Sequence, residues 1–149
     1  MQELTIKCDG GSRSNPGPAA CAFAVWEGKN LIYRQGVYLG VATNNQAEYK
    51  AVLSSLQWLE KQEVLPPSVA WKLDSMLVVE QINGNWKVKD FKLRVLRDHC
   101  LEALHALQKK GLSWSFSHLP RSENQVADDL VNETLDLHAQ KVAAQATLG

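Results

Sequence analysis

Five carboxylates stand where residue type and spacing could do chemistry: Asp9, Glu48, Asp74 and the adjacent Asp128 and Asp129. Two of them close strand-like segments that end alike, Lys7-Cys8-Asp9 and Lys72-Leu73-Asp74. On a strand, alternate residues face opposite ways, so Asp9 faces away from Leu4, Ile6 and Cys8, and Asp74 away from Val69, Trp71 and Leu73. If these strands are parallel neighbours, two carboxylates meet at one edge of a sheet. The competing reading is that each Asp starts a turn or caps the next element. Acids held together repel, which raises their pKa values and destabilises the fold unless a cation neutralises them. Oxygen donors with no His or Cys at metal spacing suit Mg²⁺ or Mn²⁺ and fit Zn²⁺ poorly. Two such ions about 4 Å apart stabilise both the attacking and the leaving oxygen of an in-line displacement at phosphorus.

Glu48 falls in the first turn of a helical segment, about 20° of helical wheel from Leu59 at the border of the apolar stripe. Asn45-Gln46-Ala47-Glu48 also has the spacing of a helix cap with Glu at its third position, so a capping role competes. Asp128 and Asp129 flank the stripe Val126, Ala127, Leu130 and Thr134 on opposite sides, and periodicity does not choose between them.

The elements that must position these groups can be read in order. Leu4 to Asp9, the run from Ala20 to Trp26 and the run from Leu31 to Gly40 are three consecutive strands with hairpin-like connections. Residues 45–61 switch to helical period, with Tyr49, Val52, Leu53, Leu56 and Leu59 on one stripe, and Pro66-Pro67 stops the helix. Val69 to Asp74 is a fourth strand, Ser75 to Asn83 a short helix closed by Gly84, Lys92 to Lys110 a long helix closed by Gly111, and Leu112 to His118 a fifth strand. Ser122-Glu123-Asn124-Gln125 fits a capping box that opens a last helix from about Glu123 to Leu137. The order predicts an α/β fold: a mixed five-stranded sheet, three antiparallel strands then two parallel, with helices on both faces. Ligands of such sheets sit outside the carboxyl ends of the central strands, where Asp9 and Asp74 lie. We expect one domain over 1–149, with a core of about 4–137 and a tail, 138–149, that extends the last helix or frays.

Composition narrows the classes. The chain has 149 residues, 45% hydrophobic and 21% charged, the balance of one globular domain with a core. Its longest apolar runs fall far short of the roughly 20 residues that cross a bilayer. The start, Met1-Gln2-Glu3-Leu4, lacks the marks of a secretory signal, and Cys8, Cys21 and Cys100 are odd in number and scattered. A reducing, cytoplasmic location is expected, with structural cysteines. Sixteen Lys and Arg balance sixteen Asp and Glu, so bulk charge argues for no partner. Distribution is more informative: from Trp86 to Arg97, five basic residues (Lys87, Lys89, Lys92, Arg94, Arg97) accompany one acid, Asp90, with Trp86 and Phe91 among them. Such a run is either a solvated helix face or a phosphate-binding patch.

Taken together, Asp9-Gly10-Gly11-Ser12 with Asn15-Pro16-Gly17, Thr43-Asn44-Asn45-Gln46-Ala47-Glu48-Tyr49, Asp74-Ser75, and His118-Leu119-Pro120-Arg121 with Asn124, Ala127-Asp128 and Leu130 resemble type 1 ribonuclease H from about residue 4 to residue 137. The resemblance implies that Asp9, Glu48, Asp74 and Asp128 are catalytic carboxylates holding two Mg²⁺ ions, with Mn²⁺ as a substitute. It chooses Asp128 over Asp129 because the family's aspartate stands four residues after its Asn, here Asn124. It implies endonucleolytic hydrolysis of the RNA strand of an RNA/DNA hybrid, leaving 3′-hydroxyl and 5′-phosphate ends. His118 matches a family histidine that assists turnover and product release. The minor groove, where RNA displays 2′-hydroxyls, is the expected recognition surface. By the same resemblance Gly10, Gly11 and Ser12 approach the RNA strand, Asn15, Asn44 and Asn45 reach the groove, and Thr43 lies near a DNA phosphate.

Two departures stand out. Met76 follows the Asp-Ser pair where many bacterial members have Gln, leaving either a groove contact or burial for this side chain. The basic protrusion that many members insert after the fourth strand is missing, as in a compact, archaeal-like branch. Trp86, Lys87, Lys89 and Lys92 are the candidates to replace its phosphate contacts, and binding is expected to be modest and salt-dependent. A monomer with no obligate protein partner is expected. The rival readings are an integrase, transposase or junction-resolvase core on the same scaffold, and a non-catalytic hybrid-binding domain.

Overall fold

The computed structural model describes residues 2–148. Its elements run β1 (Leu4–Ser12), β2 (Gly17–Glu27), β3 (Asn30–Ala42), α1 (Asn44–Glu60), β4 (Ser68–Leu73), α2 (Met76–Ile82), α3 (Phe91–Lys109), β5 (Ser113–His118), a 3₁₀ turn (Arg121–Glu123) and α4 (Gln125–Leu148). The strands form one sheet in the order β3-β2-β1-β4-β5. β1 pairs antiparallel with β2, and β2 with β3, whereas β1 with β4 and β4 with β5 are parallel. The mixed five-stranded sheet expected from the element order is therefore the observed one.

The two faces are packed differently. On one, Ile6, Cys8, Phe23 and Val25 meet Tyr49, Val52, Leu56 and Leu59 of α1, with Leu104 and Leu107 of α3 and Trp71 of β4 in the same buried cluster. Polar groups within it are satisfied: the Trp71 indole donates to Ser55 Oγ at 2.9 Å, and Tyr49 Oη donates to Gln81 Oε1 at 2.6 Å, tying α1 to α2. On the other face, Ala20 and Ala22 of β2 meet Val131 and Leu135 of α4. Small side chains there let the helix lie close. At Gly36 of β3 an added Cβ would overlap Thr134 Oγ1 and come within 3.3 Å of the Leu130 carbonyl oxygen.

Both cap assignments change. Thr43, not Asn45, caps α1: its hydroxyl accepts from the Gln46 N–H at 3.1 Å, and Gln46 Oε1 accepts from the Thr43 N–H at 2.9 Å. The capping box thus starts two residues earlier, because a threonine hydroxyl and a glutamine three residues on satisfy both donors, and Glu48 is left without a capping role. At the last helix, Arg121–Glu123 form a 3₁₀ turn and α4 begins at Gln125, so no box on Ser122 opens it. Asn124 is fully buried between the two. The segment 138–148 continues α4, and His138 stacks on Tyr38 of β3 with ring centroids 3.7 Å apart. Packing therefore runs past the expected core limit at residue 137. Residue 149 lies outside the described residues.

Candidate active site

Parallel pairing of β1 and β4 sets Cys8 opposite Leu73, so Asp9 and Asp74, one residue further on each strand, emerge side by side at the carboxyl edge of the sheet. Glu48 comes to the same place from α1. The Gly10 N–H donates to its Oε1 at 2.8 Å, and Gly10 lies so close to α1 that a Cβ would overlap the Ala47 carbonyl and the Glu48 nitrogen. One oxygen from each of Asp9, Glu48 and Asp74 lies within 4.8 Å of the others. Asp128, in the first turn of α4, lines the same cleft of about 440 Å³ and accepts a hydrogen bond from Arg121 Nη2 at 3.2 Å. Asn124 braces this corner: its side-chain N–H donates to the Cys8 carbonyl at 2.8 Å and its backbone carbonyl accepts from the Asp128 N–H at 3.1 Å.

The electrostatics are those of negative charge held out of water. Burial, then the charge of Asp74, pushes Asp9 up to about 7 from an ordinary 3.8. Burial, then the charges of Asp9 and Asp74, raises Glu48 well above the usual carboxylate range. Contact between the Glu48 and Asp9 carboxyls raises the first and lowers the second. Asp74 is raised by burial and held back by Arg121 and by the Asn124 amide. Arg121, mostly exposed, is raised chiefly by Asp128. Glu48 Oε2 is buried with no hydrogen-bond donor. A buried carboxylate oxygen lacking a donor beside two further carboxylates lacks positive charge, and the all-oxygen donor set fits a hard divalent cation.

The remaining residues singled out from the sequence separate by where the fold places them. Gly11, Ser12 and Asn44 line the carboxylate cleft. The Ser12 N–H donates to Asn44 Oδ1 at 2.8 Å and the Asn44 N–H to Asn15 Oδ1 at 3.0 Å, so the β1–β2 hairpin and the start of α1 form one braced ridge, with exposed Asn45 on it. Thr43 spends its hydroxyl on the cap. His118 ends β5, exposed and in register with Leu73, outside the cleft lining. Met76 is exposed as the first residue of α2, which settles its alternative against burial, while Trp86, Lys87 and Lys89 are exposed on the segment between α2 and α3. Asp129 points elsewhere and accepts from Gln125 Nε2 at 2.6 Å.

Sequence reasoning gave no role to Arg121 or Asn124. Arg121 is a cation at the mouth of an acidic cleft, and its signal was its place seven residues before Asp128, hidden by the 3₁₀ turn between them. Asn124 entered the sequence reading only as the marker four residues before Asp128, and its bracing role appears with the fold. The thiols are as expected: Cys8, Cys21 and Cys100 are free and buried. Burial pushes Cys21 up to about 11 and Cys100 up to about 12, which leaves them unreactive at neutral pH. Among the described residues no helix is long and apolar enough to cross a membrane.

Sheet order, crossover and a four-carboxylate cleft at the carboxyl edge define a nuclease-type scaffold, and comparison with known proteins agrees. The "Reverse transcriptase-like" family matches residues 7–134. The crystal structure of RNase H1 from Halobacterium salinarum superposes with a TM-score of 0.81 at 37% identity, covering 90% of this chain and 98% of that one. LC11-RNase H1, solved in complex with an RNA/DNA hybrid, gives 0.85 at 31% identity, covering 91% and 99%. Bifunctional protein Rv2228c of Mycobacterium tuberculosis is 36% identical over 146 residues, 97% of this chain. This chain spans only 38% of that relative's length. The chain belongs to the ribonuclease H family.

Proposed function

We propose that this chain is an endonuclease that hydrolyses the RNA strand of RNA/DNA hybrids, leaving 3′-hydroxyl and 5′-phosphate ends. The observation that carries the reading is the convergence of Asp9, Glu48 and Asp74 oxygens within 4.8 Å, with Asp128 in the same cleft and Glu48 Oε2 buried without a donor. Support comes from the family scaffold and from the hybrid bound by LC11-RNase H1. Two Mg²⁺ ions held by Asp9, Glu48, Asp74 and Asp128, or Mn²⁺ in their place, supply the charge the cluster lacks, an activated water and stabilisation of the leaving oxygen.

The chain's own residues supply position. Asn124 and the Gly10 N–H hold Asp128 and Glu48 in place before substrate arrives, so little reorganisation is needed on binding. Gly11, Ser12, Asn15, Asn44 and Asn45, on one ridge beside the carboxylates, offer short polar groups and backbone to the minor groove, where the 2′-hydroxyls of the RNA strand distinguish it from DNA. Thr43 and Met76 flank that groove. Trp86, Lys87 and Lys89 contact the phosphate backbone in place of a basic protrusion, and His118, exposed at the end of β5, assists product release. This domain acts as a monomer in the cytoplasm.

The test is cleavage of an end-labelled RNA/DNA hybrid with and without Mg²⁺ or Mn²⁺, by the natural chain and by Asp74→Asn, beside all-DNA and all-RNA duplexes. Metal-dependent cutting of the RNA strand alone, lost in Asp74→Asn, is the expected result. Hybrid binding without cutting, or cutting of DNA junctions in place of hybrids, sinks the proposal.

A further inference from the structure

The lining of the carboxylate cleft extends along α4 past Asp128 to Asn132 and Leu135, and it includes a guanidinium, that of Arg13. We propose that Arg13 is a substrate-binding residue: its guanidinium takes a backbone phosphate of the RNA strand away from the scissile one, and Asp136 is the carboxylate that phosphate displaces. The inference rests on the hybrid-cleaving reading above.

The hairpin holds Arg13 firmly. Its N–H donates to the Pro18 carbonyl at 2.8 Å, Ser14 follows in a left-handed conformation (φ 71°), and Gly17 packs so tightly against the Arg13 carbonyl that a Cβ would overlap it. From this base the side chain reaches across the cleft to α4, where Nη2 donates to Asp136 Oδ1 at 2.6 Å and to the Asn132 carbonyl at 3.5 Å. Asn132 in turn donates to the Asp128 carbonyl at 3.1 Å, so the Arg13 end and the carboxylate end share one helix face. Asp136 stands eight residues beyond Asp128 on α4, about 12 Å at 1.5 Å per residue. That is beyond the reacting phosphate and within reach of others on the same strand.

Charge and exposure favour a ligand over a brace. Four carboxylates line the cleft, and its cations are Arg121, already on Asp128, and Arg13. The Arg13–Asp136 pair is open to water on both sides, 46% and 60% exposed, where an ion pair contributes little to stability. Its hydrogen bonds use only Nη2, which leaves Nε and Nη1 without partners among the described residues. A guanidinium fork matches phosphate and carboxylate with the same geometry, so a phosphate exchanges for Asp136 without moving the arginine.

The experiment measures Kd for an RNA/DNA hybrid from about 50 to 200 mM salt in an Asp74→Asn background that cannot cleave, with Arg13→Ala, Arg13→Lys and Asp136→Asn added singly. Removing one phosphate contact lowers the slope of log K against log salt by about 0.7–0.9. Arg13→Ala is expected to weaken binding several-fold at the lowest salt and to show that shallower slope, Arg13→Lys to keep the slope, and Asp136→Asn to tighten binding. Thermal unfolding without nucleic acid confirms that each variant is folded. A purely structural brace predicts that Arg13→Ala and Asp136→Asn weaken binding alike with the parent slope; that result, or an Arg13→Ala slope equal to the parent's, overturns the inference and leaves the hybrid reading standing. A parent that binds no hybrid at any salt overturns both.

Discussion

Replacing Asp9 by Asn should stabilise the metal-free protein at neutral and alkaline pH while abolishing the hybrid cleavage proposed above. Asp9 is 5% exposed and its pKa stands at about 7 in the folded chain against an ordinary 3.8. The folded state therefore holds a proton that the unfolded chain has released, so stability is full below about pH 4 and falls as pH rises from there to about 7. Three units at 1.36 kcal/mol each give about 4 kcal/mol as the largest loss above pH 7. Burial is the largest cause of the shift, repulsion by Asp74 adds to it, and contact with the Glu48 carboxyl offsets part of it. The variant should recover about 2–4 kcal/mol. The assay is denaturant unfolding in EDTA at pH 4, 6 and 8, comparing Asp9→Asn with the natural chain. The difference should be near zero at pH 4 and open in the variant's favour by pH 8. Adding Mg²⁺ should narrow that gap, because a ligand at a hundredfold its Kd stabilises the natural chain by about 2.7 kcal/mol and the variant by less. A variant less stable than the natural chain by the same amount at pH 4 and pH 8 would refute the reasoning, since the cluster would then store no repulsion.

Two further outcomes follow from particular contacts. Gly36→Ala should cost about 1–3 kcal/mol by driving Thr134 and α4 off β3, and Thr134→Ala should restore most of it, whereas Gly10→Ala, whose Cβ meets the backbone of α1, should cost at least as much with no side-chain rescue; thermal unfolding of the single and double variants decides. Arg121→Ala removes the cation that competes for Asp128, so the Mg²⁺ concentration giving half-maximal hybrid cleavage should fall; an unchanged or higher Mg²⁺ requirement would mean that the 3.2 Å pair does not oppose the metal.

Much of the scaffold was legible because it depends on local pattern. Alternation marked β1 and β4, the 3.6-residue stripe Tyr49, Val52, Leu56 and Leu59 marked α1, and Pro66-Pro67 ended it. The facing of Asp9 and Asp74 followed from strand period alone, and parallel pairing turned it into proximity. The cap of α1 was misplaced by two residues because Asn45 and Thr43 both have the chemistry to cap, and only the backbone path into the helix decides which hydroxyl or amide meets the free N–H groups. Glu48 lost its capping alternative for that reason. The choice of Asp128 over Asp129 lay beyond periodicity, since both border the same stripe; the packing of α4 against β1, β2 and β3 puts one in the cleft and leaves the other on Gln125. Arg13 and Arg121 come near the carboxylates only when the hairpin and the 3₁₀ turn close over the sheet edge, from 115 and seven residues away from Asp128 along the chain. The sequence by itself determined which elements form and which residue types end them. The tertiary structure decided which charges meet, because meeting depends on strand order, helix crossing and burial, and these are properties of the packed whole.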